Sequence, residues 1–405
     1  MTPSPRPPAP PTAAHPADLG SELALGRASH QVGEFRQRVR TLLREQVAPL
    51  LPVAERDRRF PRSAVASLGA AGLYEERWSG GVHGDLGRSV VLAEELGRAG
   101  LGGIGIGIGL HLEAAVALLR RFGQSDHTGE VLRSALSGRT VCCVATSEQH
   151  VGSDLSAVGT KLTREGDRWR VRGVKWFVSP GAAADHALVL CRGAEGPALA
   201  LVPREGITVV KRLATTGLRS LETARLAVDA LVDDDALLAP PGSGLAAVGA
   251  GLAYERLALA AQTLGTLDLA LNLTITHLRR RTQFGAPLIR HQALRLRVAD
   301  LAARTRVARR GLYATVVEMT ATGTVPAHEA AALKVTAARL GEQVVGECAH
   351  LFGGRGYDED ATPLERLWRD LKVNRLGGGS DEMMWEVVAT AFRPDDALYR
   401  HWVRD

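Results

Sequence analysis

The sequence predicts an α+β fold in which a helical domain, a β domain and a second helical domain follow one another along the chain. Three observations predict this order. Apolar residues recur at helical spacing across residues 28–139. Segments that alternate polar and apolar residues, as strands do, occupy residues 140–242. Long helical patterns return in residues 243–405 and predict a C-terminal helical domain.

The N-terminal part of the chain divides into a tail and a helical domain. Residues 1–27 are rich in proline and alanine and have weak periodicity, so we predict a disordered tail. From Ser29 onward, Val32, Phe35 and Val39 follow one another at steps of three and four residues, which predicts a helix. Further helices are predicted near residues 62–71, 88–99, 109–122 and 129–137.

The middle of the chain has the signature of short strands. The turn Glu165-Gly166-Asp167 precedes Trp169-Arg170-Val171-Arg172-Gly173, which alternates with period two and predicts a hairpin. Additional strands are predicted at residues 186–191, 198–202, 207–210 and 224–228, before the Pro240-Pro241 loop.

Composition indicates a soluble globular protein of two or three domains. The chain has 405 residues, of which 45% are hydrophobic and 23% are charged. The formal net charge is +6, but only five of the fifty basic residues are lysine and the arginines are scattered. Aromatic residues, which stack on bases, make up only 4% of the chain. Nucleic-acid binding is therefore not expected.

Cysteine usage and hydropathy predict a cytoplasmic protein. The four cysteines (Cys142, Cys143, Cys191, Cys348) show no paired or metal-ligand spacing, so free, buried thiols and no metal site are expected. The N-terminal residues lack the apolar segment of a signal peptide. Charged side chains interrupt both long apolar stretches, residues 100–119 and 245–273, so no membrane span is expected.

One glutamate, Glu255, lies inside one of the most apolar stretches. On a helix its neighbours at three and four residues are apolar or glycine: Gly251, Leu252, Ala258 and Leu259. A buried carboxylate is costly unless it is paired or used, and burial raises its pKa toward that of a working base. Two interpretations follow, a structural ion pair with an arginine or a catalytic base. Taken alone, the ion pair is the more common of the two.

Four motifs, in order, resemble those of the acyl-CoA dehydrogenase family. They are Ser147-Glu148-Gln149-His150-Val151-Gly152-Ser153-Asp154, Lys175-Trp176-Phe177-Val178-Ser179-Pro180-Gly181, Arg281-Thr282-Gln283-Phe284-Gly285 and Gly353-Gly354-Arg355-Gly356-Tyr357. The resemblance extends from about Ser29 to Phe392. It implies a central β-barrel-like domain between an N-terminal helical domain and a C-terminal four-helix bundle.

The resemblance also implies non-covalent FAD and a set of residues that bind it. The residues expected to contact the flavin or the pyrophosphate from the same subunit are Thr146, Ser147, Ser153, Phe177 and Ser179. The residues expected to hold FAD from a neighbouring subunit, or to complete its site, are Arg281, Phe284, Gln292, His350, Gly353, Gly354 and Ser380. His350 stands where the family has a glutamine, and a purely structural histidine is an equal alternative. Sharing of FAD implies a homodimer or homotetramer.

A departure from the family pattern identifies the expected base. Gly378 stands where most members carry the catalytic glutamate, whereas Glu255-Arg256-Leu257 resembles the alternative position used by isovaleryl-CoA and long-chain dehydrogenases. We therefore expect Glu255 to remove the α-proton of an acyl thioester while hydride passes to flavin N5. The backbone near Gly378 and a ribityl hydroxyl would polarise the thioester carbonyl. Arg256 is expected either to orient the substrate or to pair with an acidic residue.

The implied substrate is an acyl-CoA or an acyl-carrier-protein thioester, because the C-terminal ending resembles bacterial members of specialised metabolism. An electron-transfer flavoprotein is the implied electron acceptor. The Gly-rich segment 102–109 lies where relatives wall the acyl pocket; missing side chains would enlarge that pocket, although we favour loose helix packing as the cause. Two alternatives remain: a flavin-dependent monooxygenase on the same fold and a non-catalytic FAD-binding relative.

Overall fold

The computed structural model describes residues 29–403, so the predicted tail at residues 1–27 lies outside the described residues. The N-terminal helical part contains eight α-helices: α1 Ser29–Leu42, α2 Leu51–Asp57, α3 Arg62–Ala70, α4 Leu73–Arg77, α5 Leu86–Arg98, α6 Gly102–Gly109, α7 Val116–Phe122 and α8 Asp126–Leu136. Irregular helical turns at Leu43–Val47 and Ala48–Leu50 join α1 to α2, where Pro49 and Pro52 cannot donate backbone hydrogen bonds.

Side-chain caps fix where several of these helices begin. Asp85 accepts a hydrogen bond from the backbone N–H of Arg88 at the start of α5. Ser125 and Thr128 form a reciprocal capping box at the start of α8. The helix predicted near residues 109–122 is longer than expected, because α6, a π-helical segment Leu110–Ala115 and α7 form one continuous helical run.

The middle part is an eight-stranded sheet. Its strands are β1 Cys142–Ala145, β2 Lys161–Glu165, β3 Arg168–Val178, β4 His186–Gly193, β5 Gly196–Pro203, β6 Ile207–Arg212, β7 Ala224–Val232 and β8 Leu237–Ala239. Neighbouring strands follow the order β6-β7-β3-β2-β4-β5-β8, and β1 pairs in parallel with β4. The predicted hairpin is confirmed as β2–β3, with Lys161 opposite Arg172. The other predicted strands are confirmed as β4 to β7.

The C-terminal part is helical again. It contains α9 Gly244–Arg280, α10 Gln292–Thr322, α11 Ala327–Leu351, α12 Leu364–Leu371, α13 Asp381–Ala389 and α14 Asp396–Trp402. A small hairpin, β9 Thr282–Gln283 and β10 Ala286–Pro287, separates α9 from α10. Helix α9 is the central element, since it packs against α5, α10 and α11 and against the sheet through β5.

The two helical parts meet in direct backbone contact. A Cβ atom added at Gly97 of α5 would lie 1.9 Å from the carbonyl oxygen of Gln262, and one added at Gly265 of α9 would lie 1.9 Å from that of Glu94. Glu94 also receives hydrogen bonds from Arg309 Nε (2.7 Å) and Tyr313 OH (2.6 Å) of α10. Helices α5, α9 and α10 are therefore fastened together by close packing and buried polar contacts.

The prediction of loose packing around the Gly-rich segment is wrong. A Cβ at Gly107 would lie 2.2 Å from Phe60 Cε2, and one at Gly103 would lie 2.6 Å from Ser220 Oγ. These glycines let α6 approach its neighbours closely. Gly109 differs, because a Cβ there would meet nothing within 4 Å.

The residues expected to be buried are buried. The four cysteines are free and buried, as predicted. The run Gly102–Phe122 is long and apolar enough to cross a membrane by composition, but 78% of its most apolar window is buried inside the protein. Such burial is typical of a core helix in a soluble fold.

Candidate active site

Glu255 lies on α9 and is almost fully buried, with 7% of its surface exposed. Within residues 29–403 its side chain forms no hydrogen bond or salt bridge, and Oε2 is buried without a partner. Burial raises the pKa of Glu255, while the positive charges of Arg256 and Lys334 partly offset this effect. The structural ion pair considered for this residue is therefore not formed. The carboxylate is instead free to accept a proton.

Gly378 faces this carboxylate from the turn that precedes α13. A Cβ at Gly378 would lie 2.5 Å from Glu255 Oε2, and the backbone has φ +66°, a conformation that favours glycine. Gly378, the position where the motif resemblance implies a base in other proteins, thus lies directly beside Glu255 in space. A glutamate at Gly378 could not be accommodated together with Glu255 in its present position.

Arg256 holds the same turn. Its Nε donates a hydrogen bond of 2.9 Å to the carbonyl oxygen of Gly378. Of the two roles expected for Arg256, pairing with an acidic side chain is not observed within the described residues. Arg256 instead anchors backbone that borders Glu255.

Sequence analysis missed Lys334, which holds the next residue of the turn. Lys334 lies on α11, is fully buried, and its Nζ donates a hydrogen bond to the carbonyl oxygen of Gly379. The signal was present, because Lys334 is the one charged residue in Ala330-Ala331-Ala332-Leu333-Lys334-Val335. The same rule that singled out Glu255 would have selected it.

An apolar cleft begins at Glu255 and runs between α5, α6 and α9. Its empty space, counted together with solvent at the open side, is about 380 Å³. Its walls include Leu92, Leu96, Ile106, Ile108, Gly109, Leu110, Leu112, Ala258, Leu259 and Gln262. Gln262 lies seven residues beyond Glu255 on α9, so this wall is about two helical turns, or about 10 Å, long. At this end the Gln262 side chain crosses from α9 to α6, where its Nε2 donates a hydrogen bond of 3.2 Å to the carbonyl oxygen of Gly102.

A buried ion pair, Arg77 with Glu113, borders the cleft through Glu113. Arg77 and Glu113 are joined by three hydrogen bonds: Nε to Oε1 (2.8 Å), Nε to Oε2 (3.1 Å) and Nη2 to Oε2 (2.7 Å). Ser89 Oγ donates a further hydrogen bond of 2.8 Å to Glu113. The pair leaves the cleft lining largely apolar, because these polar atoms satisfy one another.

The β-domain residues predicted to contact a flavin lie on the loop after β1 and at the end of β3. Trp176 N–H donates to the carbonyl oxygen of Ser147 (2.8 Å), which joins the end of β3 to the loop of Thr146 and Ser147. Phe177, the next residue after Trp176, has φ +55° and 64% of its surface exposed, so its apolar ring is open to solvent. Ser179 Oγ and Thr223 Oγ1 are hydrogen-bonded at 2.7 Å.

Glu148, the motif glutamate, fixes this loop. It accepts hydrogen bonds from the N–H groups of Gly159 and Thr160 and from Lys175 Nζ, each at 2.8 Å. Ser153 is exposed near the other end of the same loop. Glu148 thus has a structural role, and its contacts keep the predicted cofactor-binding hydroxyls in place.

The C-terminal residues of the predicted cofactor site form a second group. His277 stacks on Phe352, with the ring centroids 4.1 Å apart. The pKa of His277 is lowered, mainly by burial and also by the positive charges of Arg355 and Arg281. This contact brings Arg281 near the turn of Gly353 and Gly354, where added Cβ atoms would meet nothing. The remaining members of the group, Phe284, Gln292 and His350, are exposed.

Ser380 belongs with the catalytic turn. Its Oγ accepts a hydrogen bond from the N–H of Met383 and caps α13. The structure therefore brings Glu255, Arg256, Gly378 and Ser380 together. Among residues 29–403, no hydrogen bond, ion pair or ring contact joins the two predicted cofactor groups.

Comparison with known proteins decides the family. Three domain models match in chain order: the N-terminal domain of acyl-CoA dehydrogenase over residues 29–139, its middle domain over residues 143–231 and its C-terminal domain over residues 242–392. The chain belongs to the acyl-CoA dehydrogenase family. It is an FAD-dependent oxidoreductase of the type that acts on CH–CH bonds.

Individual relatives of this chain match over most of their length. The "Acyl-[acyl-carrier-protein] dehydrogenase MbtN" of Mycobacterium sp. (strain MCS) is 42% identical over 376 residues, which are 91% of this chain and 95% of the relative. The protein of the same name from Mycolicibacterium paratuberculosis is 42% identical, covering 88% of this chain and 92% of the relative. The crystal structure of an acyl-CoA dehydrogenase from Geobacillus kaustophilus has a TM-score of 0.82 at 28% identity, covering 89% of this chain and 97% of that chain.

The residues of the two predicted cofactor groups fit FAD. An exposed aromatic ring, Phe177, lies beside the hydroxyl-bearing loop of Thr146 and Ser147 and suits a flavin ring. Open space beside Gly353 and Gly354, close to an exposed arginine, suits a pyrophosphate. One group therefore offers what a flavin ring needs, and the other offers what a pyrophosphate needs.

Proposed function

We propose that this protein dehydrogenates an acyl thioester between its α and β carbons, with Glu255 as the base. One observation carries the proposal. A buried carboxylate that has no hydrogen-bond or salt-bridge partner in the described part of the chain stands at the start of an apolar cleft and beside a glycine turn. Stability alone does not account for it, because an unpaired buried carboxylate is costly. A cleft of this composition suits the hydrocarbon part of the substrate.

The protein residues would act in a defined order. The N–H of Gly378 has no partner within residues 29–403 and is available to the thioester carbonyl, which would acidify the α-carbon. Glu255 then takes the α-proton, and the electrons of that C–H bond form the new double bond as the β-hydrogen leaves as hydride. Bound FAD supplies the hydride acceptor. The product is the trans-2-enoyl thioester, and Glu255 retains the proton.

The environment of Glu255 suits this step. Its raised pKa makes the carboxylate a stronger base than an exposed glutamate, while Arg256 and Lys334 favour its ionised form. The apolar walls of the cleft exclude water once an acyl chain is bound.

The cofactor contacts remain part of the proposal. Thr146, Ser147, Ser153, Phe177 and Ser179 would hold the flavin side of FAD. Arg281, Phe284, Gln292, His350, Gly353 and Gly354 would hold the FAD of a neighbouring subunit, which requires a homodimer or homotetramer. The separation of the two groups on one chain supports this arrangement. An electron-transfer flavoprotein would reoxidise the cofactor.

A carrier-protein thioester is the favoured substrate form. The relatives that are 42% identical bear the name acyl-[acyl-carrier-protein] dehydrogenase, and their similarity extends over nine-tenths of this chain. An arginine-rich surface is suited to an acidic carrier protein as well as to the phosphates of CoA.

Anaerobic flavin reduction tests the proposal. The FAD-loaded protein is mixed with octanoyl-CoA or with an octanoyl-carrier protein, and loss of the flavin absorbance band is followed. We expect the flavin of the wild-type protein to be bleached, and to be bleached faster by the octanoyl-carrier protein than by octanoyl-CoA. The flavin of Glu255→Gln should remain bound but should not be bleached. Glu318→Gln, an exposed glutamate on α10, is the control. A flavin monooxygenase or a non-catalytic relative would not be bleached by either thioester, and undiminished bleaching of Glu255→Gln would remove Glu255 from the mechanism.

A further inference from the structure

Lys334 is a buried cation without an acidic partner at hydrogen-bond distance among the described residues. It lies on the face of α11 that also carries Ala331 and Val335, packed with Met384 of α13. Its ammonium group donates to the carbonyl oxygen of Gly379. A lysine pays a large desolvation cost in such a place. Packing alone does not explain it, since an apolar side chain would fill the same space at lower cost.

The carbonyl groups of two successive glycines are held by cations from two different helices. Arg256 of α9 holds Gly378 O, and Lys334 of α11 holds Gly379 O. Both residues have positive φ, +66° and +105°, a conformation that favours glycine. Because glycine has no side chain, the turn cannot be held in place by side chains of its own. These two hydrogen bonds supply the missing anchor.

We propose that Lys334 is a positioning residue for the dehydrogenation: with Arg256 it fixes the Gly378–Gly379 turn against Glu255. This inference rests on the proposed function of Glu255. The anchored turn keeps the Gly378 N–H and the Glu255 carboxylate at fixed positions relative to the same substrate. Small displacements of such groups reduce rates strongly, because catalysis depends on their alignment.

The charges around Lys334 predict how the hydrogen bond from Lys334 to Gly379 O depends on pH. The groups that face it are Glu255 and Arg256 of α9, Asp381 of α13 and Arg375 of the preceding turn. Burial lowers the pKa of Lys334 to about 8, although Glu255 and Asp381 favour the charged form. The ammonium is therefore present at neutral pH and is lost as pH rises through about 8. A neutral amine donates a weaker hydrogen bond to Gly379 O.

The test compares Lys334→Met and Lys334→Arg with wild type by stopped-flow flavin reduction between pH 6 and pH 9. Wild type should lose about fivefold in rate from pH 7 to pH 9, as a charge-assisted bond becomes a neutral one. Lys334→Arg should keep its rate to pH 9, because arginine stays protonated. Lys334→Met should be slower by about tenfold or more at pH 7. Its acid limb should move to higher pH, since Glu255 loses a neighbouring positive charge.

A second readout does not depend on turnover. Hydrogen–deuterium exchange of the peptide containing residues 376–380 should accelerate in Lys334→Met and stay near wild type in Lys334→Arg. Lys372→Met is the matched control, because Lys372 is an exposed lysine paired with Glu342 in the same domain. If Lys334→Arg fails to bind FAD, Lys334→Met and the exchange measurement decide the question.

Two outcomes would overturn the inference: an unchanged pH profile in Lys334→Met, or equal exchange of this peptide in Lys334→Met and Lys372→Met. Both are distinct from failure of the proposed function, which would appear as bleaching by Glu255→Gln or as no bleaching of wild type by any thioester.

Discussion

Three glycines of the Gly-rich helix have different surroundings, which allows the width of the acyl cleft to be tested by substitution. Gly105 lies against Gln262, and Leu118 lies against Gly251, so the helical run 102–122 is antiparallel to α9. Gly109 therefore lies near the level of Ala258, about one helical turn beyond Glu255. Its backbone is helical, with φ −60° and ψ −46°, and a Cβ there meets nothing within 4 Å.

We expect Gly109→Leu to fold but to lose activity toward longer acyl chains. Replacing glycine within a helix removes an unfavourable propensity of about 1 kcal/mol, so stability should be maintained or increased. The isobutyl group would occupy the cleft where the chain passes Ala258. A misfit of one or a few carbon atoms in an apolar pocket changes rates by roughly tenfold to two-hundredfold. Octanoyl thioester should lose at least the lower value, whereas butyryl thioester, which ends before this level, should be nearly unaffected.

The assay is anaerobic flavin reduction with both thioesters, together with thermal unfolding of each variant. Gly311→Leu is the matched control, because Gly311 is a helical glycine of α10 with equally open surroundings outside the cleft. Gly107→Ala is the opposite case: its Cβ would meet Phe60 at 2.2 Å, so we expect about 1–3 kcal/mol of destabilisation. The cleft assignment is refuted if Gly109→Leu and Gly311→Leu have the same octanoyl-to-butyryl ratio.

Three further predictions follow from the same structure. Gly378→Ala should retain FAD, but the rate of flavin reduction by substrate should fall by about tenfold or more, because the new Cβ would displace the Glu255 carboxylate. The control in the stopped-flow assay is Gly377→Ala, whose Cβ would lie 3.6 Å from its nearest neighbour. Arg77→Met should cost about 3–5 kcal/mol in denaturant unfolding, because it leaves the buried Glu113 charge unpaired, and adding Glu113→Leu should recover much of that loss. Burial lowers the pKa of His111 to about 4. The free energy of unfolding should therefore fall by up to about 3 kcal/mol as the pH decreases from about 6.5 to 4. A His111→Gln variant with the same pH dependence of unfolding would contradict this assignment.

The fold could be predicted from the sequence because its signals are local. The period-two pattern at Trp169-Arg170-Val171 gave the β2–β3 hairpin, and apolar residues at helical steps gave the long helices. Glu255 was identified by the same kind of reasoning, as a charge in an apolar helix. Its relation to Gly378 followed from the motif resemblance, and the structure supplies the 2.5 Å contact that explains it.

Features that depend on contacts between distant segments could not be predicted. Nothing local indicates that Gly107 meets Phe60, so loose packing was the wrong expectation for the Gly-rich helix. The hydrogen bond of Lys334 with Gly379 joins residues 45 positions apart. The pairing of Arg77 with Glu113 likewise depends on how α4 packs against the π-helical segment.

The crossing of α5 and α9 has a mechanical consequence. At Gly97 and Gly265 the two main chains touch without any side chain between them, so neither helix can slide or rotate past the other without a collision. The spacing of α5 and α9 is thus fixed by backbone, which has no rotamers to change. Any alteration of substrate size must therefore come from the side chains that line the cleft, because the crossing holds α5 and α9 at a fixed distance.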